Sequence, residues 1–303
     1  MRDVACTVLF ALAVVSLAAC RDGDVPVPPA TTAERRCAPG ENLQECGKNL
    51  VIAHRGGAKL WPEETMLAFE NAVKAGADVL ELDVHATEDG VVICMHDAEV
   101  DRTTDGTGLV KEKTFAEIEA LDAGAKFEDG DGQTPYKGKG LKVATLQEVL
   151  GAFPEMPFSI EIKQVEPSIV DAVIAIIEAA GVSGQTVVAS FDGATLDDVR
   201  AKRPELATSL SAPEIIDVLQ VTEATLADYT LPAPVFQAPI DAITEERMRV
   251  LQGLEMRVHV WTVDDREDME RMWNLGVHGI MSDDPVLLKT VTAELGRDSD
   301  KGL

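Results

Sequence analysis

From Asn49 onward the chain repeats one pattern, an apolar strand run followed by a helical run, and it keeps this up for about 240 residues. The strand runs fall at 49–53, 79–84, 91–95, 158–162, 187–190, 235–236, 258–263 and 279–281. Helical spacing covers 64–75, 169–180, 195–202, 245–254 and 266–275, and a last helix begins at Pro285. Gly76 and Gly181 close the first two helices. Strand–helix units repeated in this way imply a parallel sheet. A closed eightfold barrel and an open doubly wound sheet both satisfy that pattern. No glycine-rich dinucleotide fingerprint follows the first strand, which counts against the open sheet. Residues 97–142, with Asp129-Gly130-Asp131-Gly132 among them, break the repeat and read as an insertion after the second strand.

The segment before Asn49 has a different character. Residues 4–19 form an apolar stretch that is short for a membrane span and suits a signal peptide at 1–19. It ends in Leu17-Ala18-Ala19-Cys20, which looks like a bacterial lipoprotein cleavage box, so Cys20 is expected to carry lipid and to begin the mature chain. Residues 20–48, holding Pro26, Pro28, Pro29 and Pro39, read as a tether. Cys37 and Cys46 within it are expected to pair in an exported protein, and Cys94 reads as a buried apolar filler. The folded domain then covers 49–295, and 296–303 is a polar tail. These features predict an exported protein, lipid-anchored to a bacterial membrane and facing the periplasm or the exterior.

Lys and Arg number 27 against 53 Asp and Glu, a net charge of −26. Such a surface repels polyphosphate backbones and excludes a nucleic-acid groove. If the substrate is a small phosphate ester, the site must supply positive charge locally.

The strand at 80–85 alternates strictly: Leu80, Leu82 and Val84 face one way, and Glu81, Asp83 and His85 the other. Ser159-Ile160-Glu161-Ile162-Lys163 repeats the device with Glu161 and Lys163 on one face. Inward carboxylates are costly unless compensated. Glu81, Asp83 and Glu161 therefore suit a hard divalent cation; the alternative is a set of internal salt bridges to Arg55 and Lys163. His54 and His96 each close an apolar strand run, where two imidazoles can act as acid and base near neutral pH. Arg55 offers a forked donor set for phosphate oxygens. His85, His259 and His278 read as structural.

His54-Arg55-Gly56, Pro62-Glu63-Glu64-Thr65, Glu81-Leu82-Asp83-Val84, His96-Asp97, Asp101-Arg102-Thr103-Thr104-Asp105-Gly106-Thr107-Gly108, Thr145-Leu146-Gln147-Glu148-Val149-Leu150, Glu161-Ile162-Lys163 and Val260-Trp261-Thr262-Val263 come in the order of a known family. In this set, spread over about residues 50–288, the chain resembles the glycerophosphodiester phosphodiesterases. The resemblance implies a (β/α)₈ TIM barrel with a small insertion after the second strand. It also implies metal-dependent hydrolysis of glycerophosphodiesters to sn-glycerol 3-phosphate and an alcohol, with Ca²⁺ favoured and Mg²⁺ possible. Carried over, Glu81, Asp83 and Glu161 match the metal ligands and His54 and His96 the acid/base pair. Arg55 and Lys163 match phosphate contacts, and Trp261 an aromatic at the seventh strand near the substrate mouth. The chain departs from the family in having Glu64 where Asn is usual and Ala144 where Pro is usual, and Glu64 adds a carboxylate beside the site. Two alternatives to this function are a related barrel acting on lysophospholipid or sphingolipid headgroups, and a catalytically silent binding lipoprotein. The lipid alternative expects apolar residues around the mouth, with Leu60-Trp61 and Phe127 as candidates.

Overall fold

The computed structural model describes residues 46–297. Nine strands occur among them: β1 Leu50–Ala53, β2 Val79–Ala86, β3 Val92–Cys94, β4 Phe158–Ile162, β5 Thr186–Ala189, β6 Ala207–Thr208, β7 Val235–Pro239, β8 Arg257–Trp261 and β9 Gly279–Ser282. Eight of them run parallel in the order β6-β5-β4-β2-β1-β9-β8-β7. The two ends meet where Ser209 bridges Val235 and Leu210 N donates to the Val235 carbonyl at 2.9 Å. The sheet is thus a parallel barrel nearly closed on itself, and each barrel strand leads to one outer helix. Those helices are Met66–Lys74, Leu146–Ala152, Val170–Ala180, Gly193–Lys202, Ala212–Val218, Glu245–Gly253, Arg266–Leu275 and Pro285–Glu294. No helix among the described residues is long and apolar enough to cross a membrane.

Local chemistry explains where the helices start and stop. Thr65 Oγ1 accepts from Ala68 N, and Thr145 and Ser211 build capping boxes with Glu148 and Glu214. Gly181 and Gly276 end their helices in the left-handed region, where a side chain would be strained. Strand β6 and the helices at 146–152 and 212–218 escape the periodicity reading. Two residues are too few to show alternation, and both helices are only seven residues long.

Strand alternation sorts the side chains. Leu80, Leu82, Val84, Phe158, Ile160 and Ile162 face outward into a core shared with the helices. Inside the barrel, Leu50, Ile52, Val79, Val187, Ala207, Val235 and Met281 form a plug together with Cys46. Cys46 is buried and disulfide-bonded. The expected partner Cys37 lies outside the described residues, as do the signal peptide, Cys20 and most of the tether. Cys94 is buried and free, as a filler would be.

β3 pairs antiparallel with β2, and the insertion follows it. That insertion has a core of its own, built from Ile93, Met95, Val100, Val110, Ile118, Ala123 and Val143. It is therefore a packed subunit of the fold, fixed against the second barrel strand at one side of the mouth.

Candidate active site

The site is built on the carboxyl ends of the barrel strands. Just past β1 the chain makes a single tight turn, His54–Gly56, with Arg55 at φ +52° and Gly56 at φ +77°. A Cβ on Gly56 would stand 2.8 Å from the Ala68 Cβ, so the first outer helix packs on this turn only because glycine is there. The turn aims the His54 and Arg55 side chains at the cavity and lets Arg55 N donate to Glu81 Oε2 at 2.9 Å.

A cavity of about 150 Å³ opens there, lined by His54, Arg55, Glu81, His96, Glu161 and Lys163. Phe191, Leu210, Ile215, Trp261 and Met281 supply the apolar part of its lining. Glu81 and Asp83 point inward from β2 and Glu161 from β4, in line with the alternation. Ligand oxygens of the three lie within 4.8 Å of one another, and no other such group occurs among the described residues.

The cations beside this cluster do not satisfy it. Lys163 Nζ stands 2.8 Å from Glu161 Oε1 and 3.2 Å from Asp83 Oδ1. Arg55 Nε is 3.1 Å from Asp83 Oδ2. The approach lies off the N–H direction, so both buried atoms are left without a hydrogen bond. Burial first, and then the charge of Asp83, push Glu81 up to about 8 and raise Glu161 as well. An oxygen-only donor set with one buried oxygen orphaned fits a hard divalent cation better than it fits internal salt bridges alone.

Glu64 does not face the cavity. It is buried behind Asp83, where its Oε1 accepts from Asp83 N at 2.9 Å. Burial, followed by the charges of Asp83 and Glu81, raises its pKa well above the ordinary carboxylate range. The expected extra carboxylate is thus present, buried behind Asp83 and outside the lining of the cavity.

Each histidine has its Nδ1 held by a carboxylate. His54 Nδ1 lies 2.6 Å from Asp283 Oδ1, and its Nε2 is 3.9 Å from Glu81 Oε2. Burial alone would lower this imidazole, but Glu81 and Asp283 outweigh it and raise His54 to about 9. His96 Nδ1 lies 2.7 Å from Asp97 Oδ1, and its pKa is lowered, mainly by burial. An Nδ1–H donated to a carboxylate fixes the tautomer and leaves Nε2 as the working nitrogen of both rings. His85, read as structural, donates its Nε2–H to the His96 carbonyl at 3.3 Å and so braces that strand end.

Trp261 ends β8 and stands edge-to-face with Phe191, with centroids 6.0 Å apart. Phe191 in turn lies under Lys163 Nζ, 5.5 Å from the ring centre. Trp61 is fully buried and Phe127 is half-buried against Tyr136, so neither forms an apolar rim at the mouth. Four contributors have no role in the residue-type reading: Asp283, Asp97, Glu63 and Arg102. Asp283 directly follows the last strand run, the same signal that marks His54 and His96.

Residues 54–287 match the model of the Glycerophosphoryl diester phosphodiesterase family. The chain belongs to that family. A glycerophosphodiester phosphodiesterase of Caldanaerobacter subterraneus is 37 % identical over 80 % of this chain and 96 % of its own length. One from Bacillus subtilis is 34 % identical over 82 % of this chain and 88 % of its own. The crystal structure of a glycerophosphodiester phosphodiesterase from Agrobacterium tumefaciens superposes with a TM-score of 0.68 at 26 % identity, covering 80 % of this chain and 99 % of the other. The nearly closed barrel is the fold of these phosphodiesterases, and family membership makes this chain an enzyme of the phosphodiesterase class.

Proposed function

We propose that this enzyme hydrolyses glycerophosphodiesters to sn-glycerol 3-phosphate and an alcohol, using one divalent cation and two histidines. The observation that carries the reading is the convergence of Glu81, Asp83 and Glu161 within 4.8 Å of one another, in a cavity that His54 and His96 also line. Relatives at 34–37 % identity named for this activity support it. The cation, Ca²⁺ in preference to Mg²⁺, would be held by Glu81, Asp83 and Glu161 and would neutralise charge on the phosphoryl group.

The chain's own residues do the rest. Arg55 and Lys163 present guanidinium and ammonium donors on the cavity side, giving the phosphate a positive partner in a protein of net charge −26. One imidazole takes a proton from the attacking hydroxyl and the other gives one to the leaving alkoxide; water as attacker gives glycerol 3-phosphate directly, and the neighbouring glycerol hydroxyl gives a cyclic phosphate that water must then open. Asp283 and Asp97 keep both Nε2 atoms turned to the reaction. The Phe191–Trp261 wall offers apolar surface to the carbon skeleton of the glycerol arm.

The test is turnover of glycerophosphocholine by metal-stripped protein, with glycerol 3-phosphate read in a coupled dehydrogenase assay. Activity should vanish in EDTA and return with Ca²⁺ or Mg²⁺. Full turnover without metal would remove the cation, and no turnover with either metal on a panel of glycerophosphodiesters would remove the substrate class.

A second reading, action on lysophospholipid or sphingolipid headgroups, draws on Val165, Phe191 and Ile216. These three exposed apolar residues sit on the segments that follow β4, β5 and β6 at the mouth. Lysophosphatidylcholine added to the same panel separates the two readings. The Leu17-Ala18-Ala19-Cys20 box supports a lipid anchor at Cys20 and a location outside the inner membrane.

A further inference from the structure

The insertion sends one arginine back over the site. Arg102 is about half exposed, yet its guanidinium nitrogens are all bonded. Nε donates to Asp97 Oδ2 at 2.6 Å, while Nη1 and Nη2 donate to the two oxygens of Glu63 at 2.8 and 2.7 Å. These acceptors lead in different directions. The other oxygen of Asp97 holds Nδ1 of His96 at 2.7 Å. Glu63 Oε1 also accepts from Arg55 Nη1 at 3.2 Å. An unbroken chain of bonds therefore runs Arg55–Glu63–Arg102–Asp97–His96, with the fork of Arg102 at its centre.

Only a guanidinium can serve there. One edge of its plane is bidentate to Glu63 while the remaining Nε–H reaches Asp97; an ammonium has no such planar fork. The backbone that presents it is firm. Thr104 returns both its N–H and its hydroxyl to the Val100 carbonyl, at 3.1 and 2.7 Å, and Val100 lies in the insertion's own core. Arg102 lies half in water, which limits but does not remove the share of the fork in folding stability, so kinetics are the readout that separates positioning from folding.

We propose that Arg102 is a positioning residue that holds the phosphate-binding Arg55 and the acid/base His96 in register, so that the insertion completes the active site. This rests on the roles given to Arg55 and His96 above. Without the fork, Asp97 is free to turn toward water and release the His96 ring, and Glu63 no longer fixes the plane of Arg55. Arg102 is not in the lining of the cavity, so both losses reach the site through Glu63 and Asp97.

The experiment compares Arg102→Met and Arg102→Lys with wild-type full chain on glycerophosphocholine at saturating Ca²⁺. Arg102→Met should lower kcat by about tenfold or more and raise KM severalfold, because small misplacements of reacting groups are costly. Its thermal midpoint and its Ca²⁺-induced thermal shift should stay near wild type. Arg102→Lys should recover less than half of the loss. Asp97→Asn should act mainly on kcat and Glu63→Gln mainly on KM, and in the double Glu63→Gln/Asp97→Asn background Arg102→Met should add nothing. A merely structural arginine would instead lower the folded fraction and leave KM alone. If Arg102→Met keeps kcat and KM within twofold of wild type while His96→Ala and Arg55→Ala are inactive, this inference falls and the functional reading stands. If His96→Ala turns over at the wild-type rate, the functional reading falls and takes the clamp with it. Should Arg102→Met not fold, Arg102→Lys decides by the same kinetic limits.

Discussion

Stripping and restoring the divalent cation should move protons as well as metal. Glu81 sits at about 8 because burial and then Asp83 oppose its charge, so at pH 7 about nine-tenths of it is protonated in metal-free protein. A cation needs the carboxylate and must expel that proton. At pH 7 binding should release about one proton from Glu81; at pH 9, where only about a tenth is protonated, release should nearly cease. The apparent Kd should tighten about tenfold over that interval, and His54, raised to about 9, pushes the same way as it loses its charge.

The sign for stability follows from the same shifts. A carboxylate raised from about 4.5 to about 8 on folding makes metal-free protein lose stability as pH rises through that window. His54, raised from 6.5 to about 9, adds stability below 6.5 that is lost as pH climbs through 9. At a hundredfold excess over Kd the cation should add about 2.7 kcal/mol, or roughly 5–10 °C in melting temperature for a domain of this size. Calorimetric titration of Ca²⁺ into stripped protein, in two buffers of different ionisation enthalpy, counts the protons released; scanning fluorimetry follows the shift. Glu81→Gln should reduce the pH dependence to what His54 and Glu161 leave, and weaken binding at every pH. A Kd unchanged between pH 7 and 9, with no proton released, would refute the reasoning even if metal binds.

Three further outcomes are expected. His54→Ala and His96→Ala should each lower kcat by about 100-fold or more while the Ca²⁺ thermal shift persists, since acid–base help is of that size; steady-state kinetics beside fluorimetry checks both. Gly56→Ala places a Cβ 2.8 Å from that of Ala68 at φ +77° and should cost about 1–3 kcal/mol in denaturant unfolding, with activity falling further than the folded fraction because the His54–Arg55 turn shifts. Cys20→Ser should abolish fatty-acid labelling and leave turnover of soluble diesters unchanged; surviving label would show the cleavage box misread.

Much of the chemistry was legible because strand alternation is a local rule. Glu81, Asp83 and Glu161 could be placed on inward faces from period two alone, and His54 and His96 from standing at the ends of strand runs. What surrounds them could not. Asp283 is 229 residues from His54, and the two meet only because β9 closes beside β1. An open sheet with the same strand runs need not have given His54 that partner. Glu63 and Arg102 are likewise joined across 39 residues by the packing of the insertion, which no periodicity reports.

The two histidines make the same point about electrostatics. Each ends an apolar strand run, and they look interchangeable in the sequence. In the fold, His54 lies beside Glu81 and bonds Asp283, and together these carry it to about 9 against the effect of burial. His96 also bonds a carboxylate, but burial outweighs the raising effects of Asp83 and Asp97 and lowers the ring. The fold therefore pushes the two imidazoles in opposite directions, His54 toward the charged form and His96 toward the neutral one. Under the proposed mechanism His54 would be the ring that gives a proton and His96 the ring that takes one.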